Sequence, residues 1–217
     1  IMPVQSGIYY SNDMGATWRE SKGGPSNLIS GRFAWSYNFS SDRVVGDVFY
    51  AYAGGNFYVS SNGGADFKRT VSDLPSYNRS FVRAAPNMAG EVWVALGFDG
   101  LYRSGNFGDS FEKIDNVTRA YMISFGKEAP GRTNPTLFLY GEVNNMNGIY
   151  RSIDMGKTWV RVNNNEYQVG CEPTCLIGDR NDFGVVYVGT NGNGYWCGEP
   201  EVADSLLDIE KNAESVN

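Results

Sequence analysis

Few side chains here could perform acid–base, nucleophilic or metal chemistry. The 217 residues include 24 Asp and Glu, 18 Lys and Arg, three Cys and no His. Without histidine the chain by itself builds no Ser-His or Cys-His nucleophile and no imidazole metal site, and three cysteines fall short of a zinc tetrad. The expectation is therefore no metal and no cofactor. Carboxylates remain, and the positions that draw attention first share one frame. Ser11–Trp18 reads SNDMGATW, Ser60–Phe67 SSNGGADF, Ser104–Phe111 SGNFGDSF and Ser152–Trp159 SIDMGKTW, all of the form S-x-[D/N]-x-G-x-x-[W/F]. Their third residues are Asp13, Asn62, Asn106 and Asp154. An amide keeps the acceptor oxygen of a carboxylate and loses its charge. What the four copies share is hydrogen bonding, not proton transfer.

The frame is a strand–turn–strand device. Each copy follows an alternating run, GIYYS, NFYVSS, GLYRS or GIYRS, that reads as a strand. The Asx side chain accepts backbone N–H groups within the turn. Gly15, Gly64, Gly108 and Gly156 allow a positive φ. The closing aromatics Trp18, Phe67, Phe111 and Trp159 open the next strand, and their rings are expected to lie between neighbouring sheets. The motif, the Asp-box, recurs every 44 to 49 residues. That period with one aromatic-ended turn per repeat predicts four-stranded antiparallel β-propeller blades.

Strands laid on the repeat give an all-β partial propeller over residues 1–199. Residues 1–22 supply the last two strands of one blade. Three whole blades follow, from about Phe33, from FVRAAP and from AYMISFG, and then a partial blade of TCLIGD, VVYVGT and GYWCG. Seven blades at this period would take about 330 residues, so the chain is too short to close a ring of that size. Residues 200–217 are acidic, polar and free of aromatics, and read as a disordered tail or a short helix.

Other residues call for a choice between site and scaffold. Asp42 suits a turn bond or a pair with Arg43, and Asp99 sits in Gly97-Phe98-Asp99-Gly100, a favoured hairpin sequence. At the strand ends opposite the Asp-boxes, aromatic faces can stack on pyranose rings while Asn and Arg bond hydroxyls. The substrate-binding candidates there are Trp35, Tyr77, Arg79, Phe98, Asp99, Arg119 and Asn147. Trp93 is assigned to packing, and Arg103 and Arg151 occupy equivalent slots before Asp-box serines. Cys171 and Cys175 could close a small disulfide loop, leaving Cys197 over unless it takes one of them. A net charge of −6 argues against nucleic acid or an anionic membrane as partner, and no window has the apolar length of a membrane span. No targeting signal follows Ile1, so any such signal lies outside this sequence.

Several longer segments resemble one family. AYMISFGKEAPG (120–131), GIYRSIDMGKTWVRVN (148–163), IGDRNDFGVVYVGTNGNG (177–194) and DRVVGDVFYAYAGGNFYVSSNGGADF (42–67) look, in order and spacing, like the C-terminal propeller of glycoside hydrolase family 74. The resemblance implies one wall of a cleft between two propellers in a secreted enzyme acting on xyloglucan or related β-1,4-glucans. It implies inversion by two aspartates, spaced to admit a water. Neither is matched by a residue here, so no catalytic residue is expected in this chain and the fragment alone should be inactive. The partners implied are the polysaccharide and the remaining blades of the parent chain. Cys197 departs from the family's usual ending. The Asp-boxes alone would also suit a sialidase, but no Arg-Ile-Pro opening is present. They would equally suit a noncatalytic binding or interaction module.

Overall fold

A computed structural model describes residues 1–4, 7–26, 28, 38–164 and 173–200. Among these every regular element is a strand. The first sheet is β1 (Met2–Val4), β2 (Gly7–Tyr10) and β3 (Arg19–Glu20). The second is β4 (Phe39–Ser41), β5 (Phe49–Ala53), β6 (Asn56–Ser60) and β7 (Lys68–Val71). The third is β8 (Phe81–Ala84), β9 (Val92–Ala95), β10 (Leu101–Ser104) and β11 (Glu112–Lys113). The fourth is β12 (Val117–Gly126), β13 (Thr136–Val143), β14 (Met146–Ser152) and β15 (Val160–Arg161). The fifth is β16 (Pro173–Gly178), β17 (Val186–Thr190) and β18 (Tyr195–Gly198). Strands pair in chain order within every sheet. The chain is thus a partial β-propeller with three four-stranded blades and two shorter ones, as the repeat predicts.

One detail differs from the sequence expectation. The first blade has three strands, not two, because Met2–Val4 pairs with Gly7–Tyr10 in the register Met2↔Tyr9. Three residues that include Pro3 carry too little alternation to announce a strand. The start of blade two at Phe33, and Cys171, lie outside the described residues. So does the tail, residues 201–217. Cys175 and Cys197 are free thiols.

By contacts the chain forms two compact units, Ile1–Ile123 with Gly141–Met146, and Ser124–Tyr140 with Asn147–Asn217. In the first unit, Phe67 packs into a cluster with Ile8, Leu28 and Ala51, joining the first and second blades. Phe111 lies edge-on to Phe57 at 4.7 Å and joins the second blade to the third. Trp18 departs from this rule. It is 43% exposed and its Nε1 donates to Gly15 O at 3.1 Å. Phe67 and Phe111 pack on the preceding blade, whereas the Trp18 ring folds back on its own turn, where a Cβ on Gly15 would meet it at 3.6 Å. Trp159, in the second unit, is partly buried.

A second contact repeats between blades. Ser21 and Thr70 each stand three residues after an Asp-box aromatic, and each hydroxyl donates to the carbonyl of the next blade's Asp-box glycine, Gly64 at 2.5 Å and Gly108 at 2.7 Å. In the second unit, β12 and β16 approach backbone to backbone, with Gly178 N donating to Ser124 Oγ at 3.1 Å and Lys127 N to Asp179 O at 2.7 Å. A Cβ on Gly126 would meet Asp179 O at 2.9 Å, and one on Gly178 would meet Gly126 N at 2.7 Å. This is why SFGKEAPG and IGDRND carry glycine where they do.

The four Asp-boxes share a core. In each, the serine hydroxyl donates to the Asx Oδ1 at 2.7–3.0 Å and accepts the glycine N–H at 2.8–3.0 Å. The seventh position explains which copies carry Asp and which Asn. Thr17 and Thr158 donate their hydroxyls to Asp13 and Asp154 at 2.5 and 2.6 Å. Asn62 and Asn106 instead donate Nδ2 to Asp66 and Ser110, both at 2.9 Å. Donor and acceptor have changed places. Asn62→Asp should therefore set two carboxylates together and destabilise the chain by about 0.5–1 kcal/mol. Asn106→Asp, facing a hydroxyl that can turn to donate, should be near neutral. Adding Asp66→Thr to Asn62→Asp should restore stability, because it recreates the pairing of the first and fourth blades. Denaturant unfolding of the four proteins checks this.

Candidate functional site

The side chains gathered at the hairpin end of blade three are positioned by backbone. Tyr52, fully buried, donates its hydroxyl to Pro75 O and accepts the N–H groups of Gly55 and Tyr77 at 3.2 and 3.0 Å. Burial raises this hydroxyl's pKa, which keeps it a donor. The segment after β7 is thereby pinned, and Tyr77 with it. The β9–β10 turn is closed by Leu96 N to Gly100 O at 2.9 Å and Asp99 N to Leu96 O at 3.0 Å. It is tied to β12 by reciprocal bonds between Gly97 and Ala120 at 2.7 and 2.8 Å. Gly97 has φ 55°. A Cβ there would fall 2.0 Å from the Tyr77 ring, so glycine is what lets that ring lie against the turn.

Phe98, at the tip, is 65% exposed yet closely held. Tyr77 and Tyr121 meet it edge-to-face at 6.3 and 6.1 Å, with interplanar angles of 89° and 87°. The Arg119 guanidinium lies over its ring, 5.2 Å from the centroid. Arg119 and Tyr121 flank Ala120, whose side chain is buried, so strand alternation sends both to the other face. Arg119 also faces Glu142 at 3.6 Å, and Thr118 Oγ1 donates to Glu142 Oε1 at 2.7 Å. A guanidinium spread over a ring, beside exposed aromatic surface, is suited to sugars. Aromatic rings take the apolar C–H face of a pyranose, and the guanidinium donates to its hydroxyls.

Of the sequence candidates, the structure brings together Tyr77, Phe98 and Arg119, with Asp99 beside Phe98 in the same turn. Asp99 is partly exposed, and its charge adds to the effect of burial in raising the pKa of Tyr102. Arg79 is exposed two residues beyond Tyr77, and Asn147 is exposed on β14 in the second unit. Trp35 lies outside the described residues. Tyr121 and Glu142 escaped sequence reading. The R-A-Y alternation about Ala120 was the signal for Tyr121, whereas nothing local marks Glu142, which is across the sheet. Among the described hairpin tips, Phe98 also breaks the repeat, since the corresponding turns are Gly54-Gly55 in blade two and Asn144-Asn145 in blade four.

Several other candidates belong to the scaffold. Trp93 is fully buried, and its Nε1 donates to Glu91 at 2.7 Å. Glu91 also takes a 2.7 Å bond from Arg103 Nε, which ties this arginine to its own blade. Asp42 is the turn-binding residue expected, with Oδ1 accepting Val44 N and Val45 N at 2.9 and 2.8 Å. Its Oδ2 accepts the Tyr50 hydroxyl at 2.7 Å and Gly90 N, from blade three, at 2.9 Å.

The fold and this arrangement can be set beside known proteins. No family model matches the chain. It is 42% identical over 161 residues, 74% of its length, to a xyloglucanase of Acetivibrio thermocellus. Over 199 residues, 88% of its length, it is 37% identical to an oligoxyloglucan-reducing end-specific xyloglucanase of Emericella nidulans. The chain spans only 19% and 24% of those two proteins. The crystal structure of the GH74 enzyme of Niastella koreensis superposes with a TM-score of 0.78 at 31% identity, covering 92% of this chain and 29% of that one. The chain belongs to glycoside hydrolase family 74. It is a fragment relative to these family members, and the resemblance read from the FGKEAPG and VYVGTNGNG segments holds.

Asp42 supplies a test of the scaffold. Burial works against its ionisation, but the bonds from Val45 N–H, the Tyr50 hydroxyl, Val44 N–H and Gly90 N–H together hold its carboxyl below the usual aspartate range. Asp42→Asn places an amide N–H against Gly90 N–H, and should cost about 2–3 kcal/mol at neutral pH. Because the folded pKa is the lower one, this contribution is complete above the unfolded value and is lost as pH falls through the folded one. The stability gap between wild type and Asp42→Asn should therefore narrow between neutral pH and about pH 3. Unfolding curves across that range measure it.

Proposed function

We propose that this chain is the C-terminal part of a secreted, inverting glycoside hydrolase acting on xyloglucan or a related β-1,4-glucan, and that it supplies one wall of the glycan-binding cleft. The observation that carries the reading is Phe98. An aromatic ring left 65% exposed is costly in water, yet this one is held by two tyrosines and an arginine, at the one aromatic tip among the described turns that join the second and third strands of the blades. Such a ring is built to be covered, and similarity to xyloglucanases supplies the class of molecule that covers it. Tyr77, Phe98, Arg119 and Asp99 are the proposed contacts. The remaining blades of the parent chain would supply the other wall and both catalytic aspartates.

Two experiments test this. The chain alone should release no reducing sugar from xyloglucan or mixed-linkage β-glucan. Release that disappears in Asp99→Asn would place a catalytic carboxylate here and overturn the assignment. Phe98→Ala should weaken xyloglucan binding on the order of tenfold, from the lost apolar contact, without changing the melting temperature. Unchanged binding would leave a noncatalytic interaction module as the better reading.

A further inference from the structure

The platform's charge balance carries one step further. Arg119 is 42% exposed at its side chain, and Glu142 only 13%. The Glu142 carboxylate is fixed at one oxygen by the Thr118 hydroxyl, 2.7 Å away, and its other oxygen lies 3.6 Å from Arg119 Nη1. A largely buried, immobilised negative charge thus stands directly behind an exposed guanidinium. The guanidinium is itself laid over Phe98. Asp99 adds a second carboxylate in the turn that carries Phe98, and the Lys113 side chain, which passes the same turn at Gly100, adds a second cation.

We propose that Glu142 is a specificity-determining residue that restricts the platform to uncharged glycans. At 3.6 Å the pair is loose enough to leave Arg119 donors turned to solvent, where they can bond sugar hydroxyls. The carboxylate cancels most of the field that would otherwise draw a uronate or other acidic substituent, because partial burial lets the two charges act on each other at short range with little screening. Hydrogen bonding is kept while attraction for anions is removed. The inference rests on the reading of this surface as a glycan platform and adds the substrate's charge class to it.

The test compares hydroxyethyl cellulose with carboxymethyl cellulose, which share a β-1,4-glucan backbone and differ in charge. Binding of the full chain to each is measured at low ionic strength, and the ratio of the two affinities is the readout. Wild type should prefer the neutral polymer. Glu142→Gln keeps an acceptor for Thr118 and should shift the ratio toward the anionic polymer by about two- to fivefold. Arg119→Gln should shift it the other way, which keeps the proposal testable if the first variant folds poorly. The double variant should return the ratio to near the wild-type value. An unchanged ratio in Glu142→Gln or in Arg119→Gln overturns the inference. If Phe98→Ala leaves binding to both polymers untouched, the platform reading itself fails and takes this inference with it. If Phe98→Ala weakens both while the ratio ignores Glu142 and Arg119, only the charge assignment falls.

Discussion

A serine hydroxyl that both gives and takes a hydrogen bond underlies each repeat. In every Asp-box it donates to the Asx oxygen and accepts the glycine N–H, so the turn has one low-energy shape. That shape fixes where the glycine carbonyl points. In the first unit the carbonyls of Gly64 and Gly108 meet Ser21 and Thr70 of the preceding blade. The same turns place Phe67 and Phe111 into the seams between blades. A local hydrogen-bond pattern therefore sets a nonlocal contact. Sheets joined only by isolated main-chain bridges, such as Lys22 with Asp66, still need a defined registry, and a short-range motif can supply it without a long-range sequence code.

The scaffold was legible for this reason. Motif, period and alternation all act over a few residues, and they gave the blades, the strand order and the structural part played by Asp42 and Trp93. Two parts were less legible. Trp18 shares its motif with Phe67, but burial depends on a neighbouring blade, which no local pattern encodes. The exchange of Asp for Asn was visible, yet its cause lay four residues away in the hydroxyl of Thr17 or the carboxylate of Asp66, and only paired geometry shows which group donates. At the candidate site, composition and turn chemistry singled out Phe98, Tyr77 and Arg119. Tyr121 was hidden within a core strand, and Glu142 reaches Arg119 only through strand pairing.

Repetition also explains why the site stands out. Residues that build blades recur because each blade faces the same packing problem, and a residue that recurs is accounted for by that problem. Ser104, Asn106 and Gly108 need no further explanation once Ser60, Asn62 and Gly64 are understood. Phe98 does. The turns of blades two and four solve the same chain reversal with Gly54-Gly55 and Asn144-Asn145, residues that tolerate positive φ and meet water without penalty. An apolar ring adds nothing to that reversal and is disfavoured by its exposure. Gly97 makes room for Tyr77, whose position is set by the buried Tyr52 hydroxyl, and Arg119 is set by the Glu142 carboxylate, itself held by Thr118. Three segments distant in sequence thus converge to order one side chain that folding does not require. On the function proposed above, a glycan surface that covers the ring repays this ordering, which puts the proposed site at the break in the repeat and not in the repeat itself.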